Sequence, residues 1–198
     1  MQTNLKKDDM IITKILIGIN VISYAITSIM SGNILVMDYN IIALVGQANF
    51  LVFKGYYWQL FTSIFVHINL AHLLGNMLFL LIYGTRGEEF FNKIEFLFIF
   101  FLSGLVGNLL SLLGGPDMVS AGASGALFGL FGACIMYAHS SIKESLITVI
   151  IYSFYMFFLT MGVNVNLFAH FGGLIAGLAL GYLFSKIKPL ESEFSSNL

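Results

Sequence analysis

A serine set among small residues at the head of one apolar run, Gly122-Ala123-Ser124-Gly125, and a histidine near the head of another, Ala169-His170, are the residue types of a nucleophile and its base. His72 and Asn76 lie four residues apart, so a helix through them presents both on one face, where they can donate hydrogen bonds to a developing oxyanion. Each residue also has a plainer reading. A serine in an apolar helix packs closely or bonds its own backbone, and His72 and Asn76 serve equally as interhelical hydrogen-bonding glue. Gly173 and Gly177 follow His170 at i+3 and i+7, while Gly125, Gly129 and Gly132 form a second small stripe beside Ser124. Such faces let helix backbones approach closely, whether or not catalysis depends on it.

The elements that must position these residues are membrane spans. Of 198 residues, 58% are hydrophobic and 10% charged, too little polar surface to cover a soluble globule. A net charge of −1 without a basic cluster gives no footprint for nucleic acid. The single cysteine, Cys134, excludes an intrachain disulfide and a cysteine-rich metal site. Apolar runs fall at 10–30, 67–84, 94–113, 121–139, 145–161 and 167–184, each close to the ~20 residues that a bilayer requires. The first lacks a small-residue cleavage site and reads as an uncleaved span. With the N-terminus inside, Lys6, Lys7, Lys14, Arg86, Lys93, Lys143, Lys186 and Lys188 are cytoplasmic and only Lys54 is outside, which places both termini in the cytoplasm.

Orientation brings the chemistry into one layer. The fourth and sixth runs both begin on the outer side, so Ser124, about one turn in, and His170 share a depth; the second run places His72 and Asn76 beneath the same surface. Of the ten carboxylates only Asp38 and Asp117 are on the outer side, both in loops, which favours a Ser/His dyad over a triad. The start of the fourth span adds free backbone N–H groups and the positive end of the helix dipole. Residues 31–66 carry Gly32, Gly46 and Gly55 and the aromatic cluster Tyr56, Tyr57 and Trp58, which reads as an interfacial belt or as short helices resting against the bundle.

These features resemble the rhomboid intramembrane serine proteases of the six-span bacterial type, from the first span to about residue 184. Gly122-Ala123-Ser124-Gly125 is similar to that family's GxSG motif, Ala169, His170, Gly173 and Gly177 to its AHxxGxxxG motif, and His72 with Asn76 to its HxxxN motif, preceded by His67. The resemblance implies an all-α, polytopic bundle of six transmembrane helices with a partly embedded first loop. It divides the chain into a cytoplasmic segment 1–9, a catalytic domain 10–185 and a cytoplasmic tail 186–198. Ser124 and His170 are then catalytic, with His72, Asn76, Gly122 and Ala123 serving the oxyanion and substrate, and Gly125, Phe128, Gly173 and Gly177 giving packing support. Phe128, one turn after Ser124, is expected against His170. Trp58-Gln59 resembles the family's tryptophan-arginine pair without its arginine, and Glu88 a structural glutamate after the second span. The implied activity is cleavage of single-pass transmembrane substrates near the outer membrane surface through an acyl-enzyme, in contact with lipid and without metal or organic cofactor. Entry is gated by the fifth span and residues 160–166. Two rival readings are a rhomboid-like protein that binds transmembrane helices without cutting them, and a small transporter or channel whose polar residues line a path.

Overall fold

The computed structural model describes residues 10–142, 145–159 and 165–187, and they are almost entirely helical. Six long helices coincide with the six apolar runs: α1 (Ile11–Ser31), α5 (Leu70–Phe90), α6 (Lys93–Ser111), α7 (Ser124–Ile142), α8 (Leu146–Leu159) and α9 (Leu167–Ile187). Three segments, Ile11–Ser31, Lys93–Gly114 and Leu167–Ile187, are long and apolar enough to cross a membrane by length and composition alone. Short pieces fill the long connection after α1: α2 (Tyr39–Val45), β1 (Gln47–Ala48), α3 (Asn49–Val52), α4 (Gln59–Thr62) and a 3-10 turn over Ser63–Phe65. β1 pairs antiparallel with β2 (Val119–Ser120), with Gln47 opposite Ser120.

The outer surface of the bundle is apolar where that of a water-soluble protein is polar. On α1, Ile22 and Ile29 are 62% and 81% exposed while Asn20 is fully enclosed. That distribution suits a solvent of hydrocarbon, in which apolar side chains face outward at no cost and polar ones must find partners within the protein. α7 is the axis of the bundle. It packs against α5, α6 and α9, and Ala126, Leu127, Phe128, Leu130, Phe131, Ala133, Cys134 and Tyr137 along it are all buried. α8, by contrast, packs against α7 and leaves Ile147, Ile150, Ile151, Phe154 and Tyr155 exposed.

Several helix limits differ from the apolar runs for identifiable reasons. α5 begins at Leu70 rather than near His67, because Asn69 is its N-cap and accepts from the His72 N–H at 2.7 Å. α7 begins at Ser124 itself, not about one turn earlier, because Gly122 has φ +131, which no right-handed helix accommodates. α6 opens on a capping box between Asn92 and Glu95. Glu88 joins α5 to α1 by accepting from the Ile12 and Thr13 N–H groups at 3.2 and 2.7 Å, partnering donors that the start of α1 leaves free. The first nine residues, residues 160–164 of the expected gate and residues 188–198 of the expected tail lie outside the described residues.

Gln59, standing where the resemblance expects arginine, is fully enclosed and ties together separate parts of the first loop. Its Oε1 accepts from the Ala48 N–H at 2.9 Å, and its Nε2 donates to the carbonyls of Ala43 and Leu44 at 2.9 and 3.0 Å. A neutral amide thus offers donors and an acceptor to backbone groups without burying a charge. Gln59→Ala leaves one N–H and two carbonyls unpartnered and is expected to lower stability by about 3 kcal/mol. Thermal unfolding of the detergent-solubilised protein measures that loss; an unchanged melting temperature would mean that the loop is held elsewhere.

Candidate active site

Ser124 is the first residue of α7, and the approach to it is fixed from the opposite side. The Gly122 N–H donates to the Ser63 carbonyl at 2.9 Å, and Ser63 Oγ in turn accepts from Asn108 Nδ2 of α6 at 2.9 Å. Asn108 Nδ2 donates also to the Leu60 carbonyl at 2.7 Å, and its own carbonyl accepts from Gln47 Nε2 at 2.9 Å. Only glycine fits at 122, since besides the positive φ a Cβ there would meet His72 Cε1 at 2.6 Å. The segment that leads into Ser124 therefore runs directly against the imidazole of His72.

His170 lies in the first turn of α9. Asn166 starts that helix: its Oδ1 accepts from the Ala169 N–H at 3.1 Å and its carbonyl from the His170 N–H at 3.2 Å. The imidazole stacks on the Phe128 ring, with centroids 4.4 Å apart and planes 21° from parallel. Phe128 is one turn beyond Ser124 on α7, so the ring that backs His170 belongs to the helix that carries the serine. The expected contact between Phe128 and His170 is thus present.

Glycines bring the two helices together. A Cβ on Gly173 would strike the Gly125 carbonyl, one on Gly177 the Gly129 carbonyl, and one on Gly181 the Ala133 carbonyl. The α9 glycines recur along one face and each rests on the backbone of α7, so the seam is backbone against backbone over three successive turns. At its upper end a Cβ on Gly125 would lie 3.2 Å from the carbonyl of Ala169, the neighbour of His170.

Ser124, His170, His72, Asn76 and Gly122 line a single cavity of about 770 Å³, together with Asn69, Asn108, Ser120 and Asn166. Asn76 Nδ2 donates one hydrogen bond to the His72 carbonyl at 2.9 Å, which leaves its second N–H uncommitted to that bond. The wall contains Tyr39, Ile42, Phe79 and Val119 as well, and among the described residues no acidic side chain or cysteine lines it. Asp38 instead caps α2, accepting from the N–H groups of Asn40 and Ile41. Ala123 does not line the cavity; its side chain is fully buried in the main core, and its carbonyl accepts from the Leu127 N–H at 3.0 Å. Among the described residues no cluster of three potential metal ligands occurs.

Two residues of the wall and its support, Asn108 and Ser111, are not singled out from the sequence, and Asn166 enters there only as the end of the expected gate. Asn108 and Ser111 are polar positions three apart in an otherwise apolar run, and Asn166 immediately precedes one, which is an N-cap signal.

The Rhomboid domain model matches residues 54–187 of this chain. Rhomboid-like protease 3 of Toxoplasma gondii is 36% identical over 146 residues, covering 69% of this chain and 56% of that protein. RHOMBOID-like protein 1 of Arabidopsis thaliana is 34% identical over 155 residues, 75% of this chain and 40% of that protein. Rhomboid protease GluP of Bacillus subtilis (strain 168) is 35% identical over 142 residues, 69% of this chain and 28% of that protein. The chain thus spans from about a quarter to just over half the length of these relatives.

Proposed function

The chain belongs to the rhomboid family, and from that premise we propose that it is an intramembrane serine endopeptidase working through a Ser124/His170 dyad. The observation that carries this reading is the joining of α7 and α9 by a glycine seam that puts Ser124 and His170 on the wall of one cavity, beside His72 and Asn76. Ser124 Oγ attacks the scissile carbonyl carbon while His170 takes its proton. The tetrahedral oxyanion is held by the free N–H groups at the start of α7 and by the side chains of His72 and Asn76. His170 then passes the proton to the leaving amine, the C–N bond breaks, and an acyl ester remains on Ser124. Water, activated by His170, hydrolyses that ester and frees the serine.

The substrate class is the one that the resemblance to rhomboid proteases implies. The distribution of basic residues supports an outer position for the polar wall, which suits a single-pass transmembrane segment whose helix opens near the outer surface, the rest of the segment remaining in lipid. Both termini are then cytoplasmic. α8, which leaves much of its apolar surface uncovered, is the side on which such a segment enters. Exposed Tyr57, Trp58 and Phe61 sink the first loop into the interface between headgroups and acyl chains.

A fluorophosphonate probe tests the reading without requiring the natural substrate. Wild-type protein is expected to be labelled covalently, and Ser124→Ala and His170→Ala to lose labelling entirely while keeping the wild-type melting transition. Labelling that persists in Ser124→Ala would place the reactive group elsewhere. No labelling of folded wild type, under conditions where an active rhomboid protease reacts, would turn the reading to a protein that binds transmembrane helices without cutting them.

A further inference from the structure

Residues 107–111 of α6 reach the chain neighbours of both members of the proposed dyad. Ser111 is fully enclosed; its hydroxyl donates to the Gly107 carbonyl at 3.0 Å and its Oγ accepts from Asn166 Nδ2 at 2.7 Å. The same Asn166 side chain spends its oxygen on the Ala169 N–H. Its amide therefore bridges the end of α6 and the head of α9, one acceptor and one donor each already assigned. One turn earlier on α6, a Cβ on Gly107 would meet the Ala169 carbonyl at 2.5 Å, and one on Gly172 would meet Gly107 Cα at 3.0 Å, so the two backbones touch next to His170. Asn108, the neighbour of Gly107, reaches the other way through Ser63 to the Gly122 N–H, two residues before Ser124.

Glycine faces pressed together resist separation, but they are smooth and non-directional, and they do little to stop one helix turning or sliding on another. A hydrogen bond has a preferred length and angle and does stop it. At the upper end of the α6/α9 seam the bond that does so is Asn166 to Ser111. We infer that this bond is a positioning clamp for catalysis, fixing the height and rotation of the head of α9, and so of the His170 ring, against the turn of α6 that also anchors the approach to Ser124. The inference rests on the reading of Ser124 and His170 as the reacting pair. Asn166 and Ser111 are positioning residues, acting on the reaction through His170.

The test uses the full chain in detergent, a fluorophosphonate probe and two substitutions that leave α9 capped. Ser111→Ala removes the acceptor oxygen, together with the hydroxyl's bond to the Gly107 carbonyl within α6, and keeps the bond from Asn166 to Ala169. Asn166→Ser keeps a capping oxygen but is too short to reach Ser111. Each is expected to slow labelling at saturating probe by about tenfold to a hundredfold, the scale of a dyad displaced by about an ångström, with the half-saturating probe concentration unchanged. The double variant is expected to be no slower than the slower single, because both changes remove the same bond. Wild-type rates in Ser111→Ala, losses that multiply in the double variant, or a slowing fully accounted for by a smaller folded fraction would each overturn the clamp while leaving the dyad standing. Unlabelled wild type removes the dyad, and the clamp's role with it, and is told apart because the variants are then not needed.

Discussion

Gly177→Ala is expected to slow fluorophosphonate labelling on the order of a hundredfold although it touches neither Ser124 nor His170. In an ordinary helix this exchange is favourable by about 0.5–1 kcal/mol, since alanine loses less backbone freedom on folding than glycine does. Here the added Cβ falls on the Gly129 carbonyl oxygen and within 2.7 Å of Gly129 Cα. The obstacle is the backbone of α7, which cannot rotate aside as a side chain would. Either α9 withdraws by an ångström or more, or the seam bends, at an overpacking cost of about 1–3 kcal/mol that outweighs the gain in propensity. The effect on chemistry is larger than the effect on stability. A displacement of about 1 Å between nucleophile and base costs on the order of a hundredfold in rate, and the seam runs directly down from Gly125 and Ala169, the neighbours of the two residues. Gly18→Ala on α1 is the control: a Cβ there meets nothing within 4 Å, so labelling stays at the wild-type rate and the melting temperature is equal or slightly higher. Melting curves and labelling rates of the two variants, measured side by side, decide it. Equal labelling in both would mean that the glycine seam does not set the distance between Ser124 and His170.

The seam was legible in the sequence because its cause is local. Gly173, Gly177 and Gly181 at four-residue spacing define a face by periodicity alone, and each apolar run announces its helix because lipid demands a fixed length of unbroken hydrophobic chain. What was not legible is which buried polar groups pair across long stretches of chain. Asn108 and Ser63 are 45 residues apart, Asn49 and the Gly115 carbonyl it donates to 66, and Asn166 and Ser111 55. A polar residue inside an apolar run tells only that a partner is needed, not which one. Gln59 illustrates the point most clearly. Against the family pattern it reads as a missing arginine, yet it is the fully enclosed amide that ties α2, β1 and α4 into one unit. The start of α7 was misplaced for a related reason: glycine within an apolar run is compatible with a helix, and only the contact of Gly122 with the His72 ring, together with its positive φ, ends the helix at Ser124.

That contact bears on how charge is stabilised in the proposed reaction, and it makes Asn76→Ala the more informative of the changes to the cavity wall. The Gly122 N–H, a nearby backbone donor, is already committed to the Ser63 carbonyl, so it is not free for an oxyanion. The Ser124 N–H at the first position of α7 has no carbonyl four residues back within the helix and is available. Beyond it, the polar side chains that α5 contributes to the wall are His72 and Asn76, with Asn69 committed to capping that helix. Asn76 gives one N–H to the His72 carbonyl and retains the other. Losing one oxyanion donor costs about 10²–10³ in kcat, or roughly 3–4 kcal/mol, because the bond is strongest in the transition state. Asn76→Ala is therefore expected to lower kcat by that factor with KM little changed, in proteoliposomes containing a single-pass transmembrane substrate. A rise in KM at constant kcat would assign Asn76 to ground-state binding, and unchanged kinetics would leave the oxyanion to the start of α7 and His72 alone. The helix is not expected to suffer: Asn76 bonds only back to its own helix among the bonds described, and alanine is the better helix former. A kinetic loss without a matching fall in melting temperature would therefore report on the transition state and not on the fold.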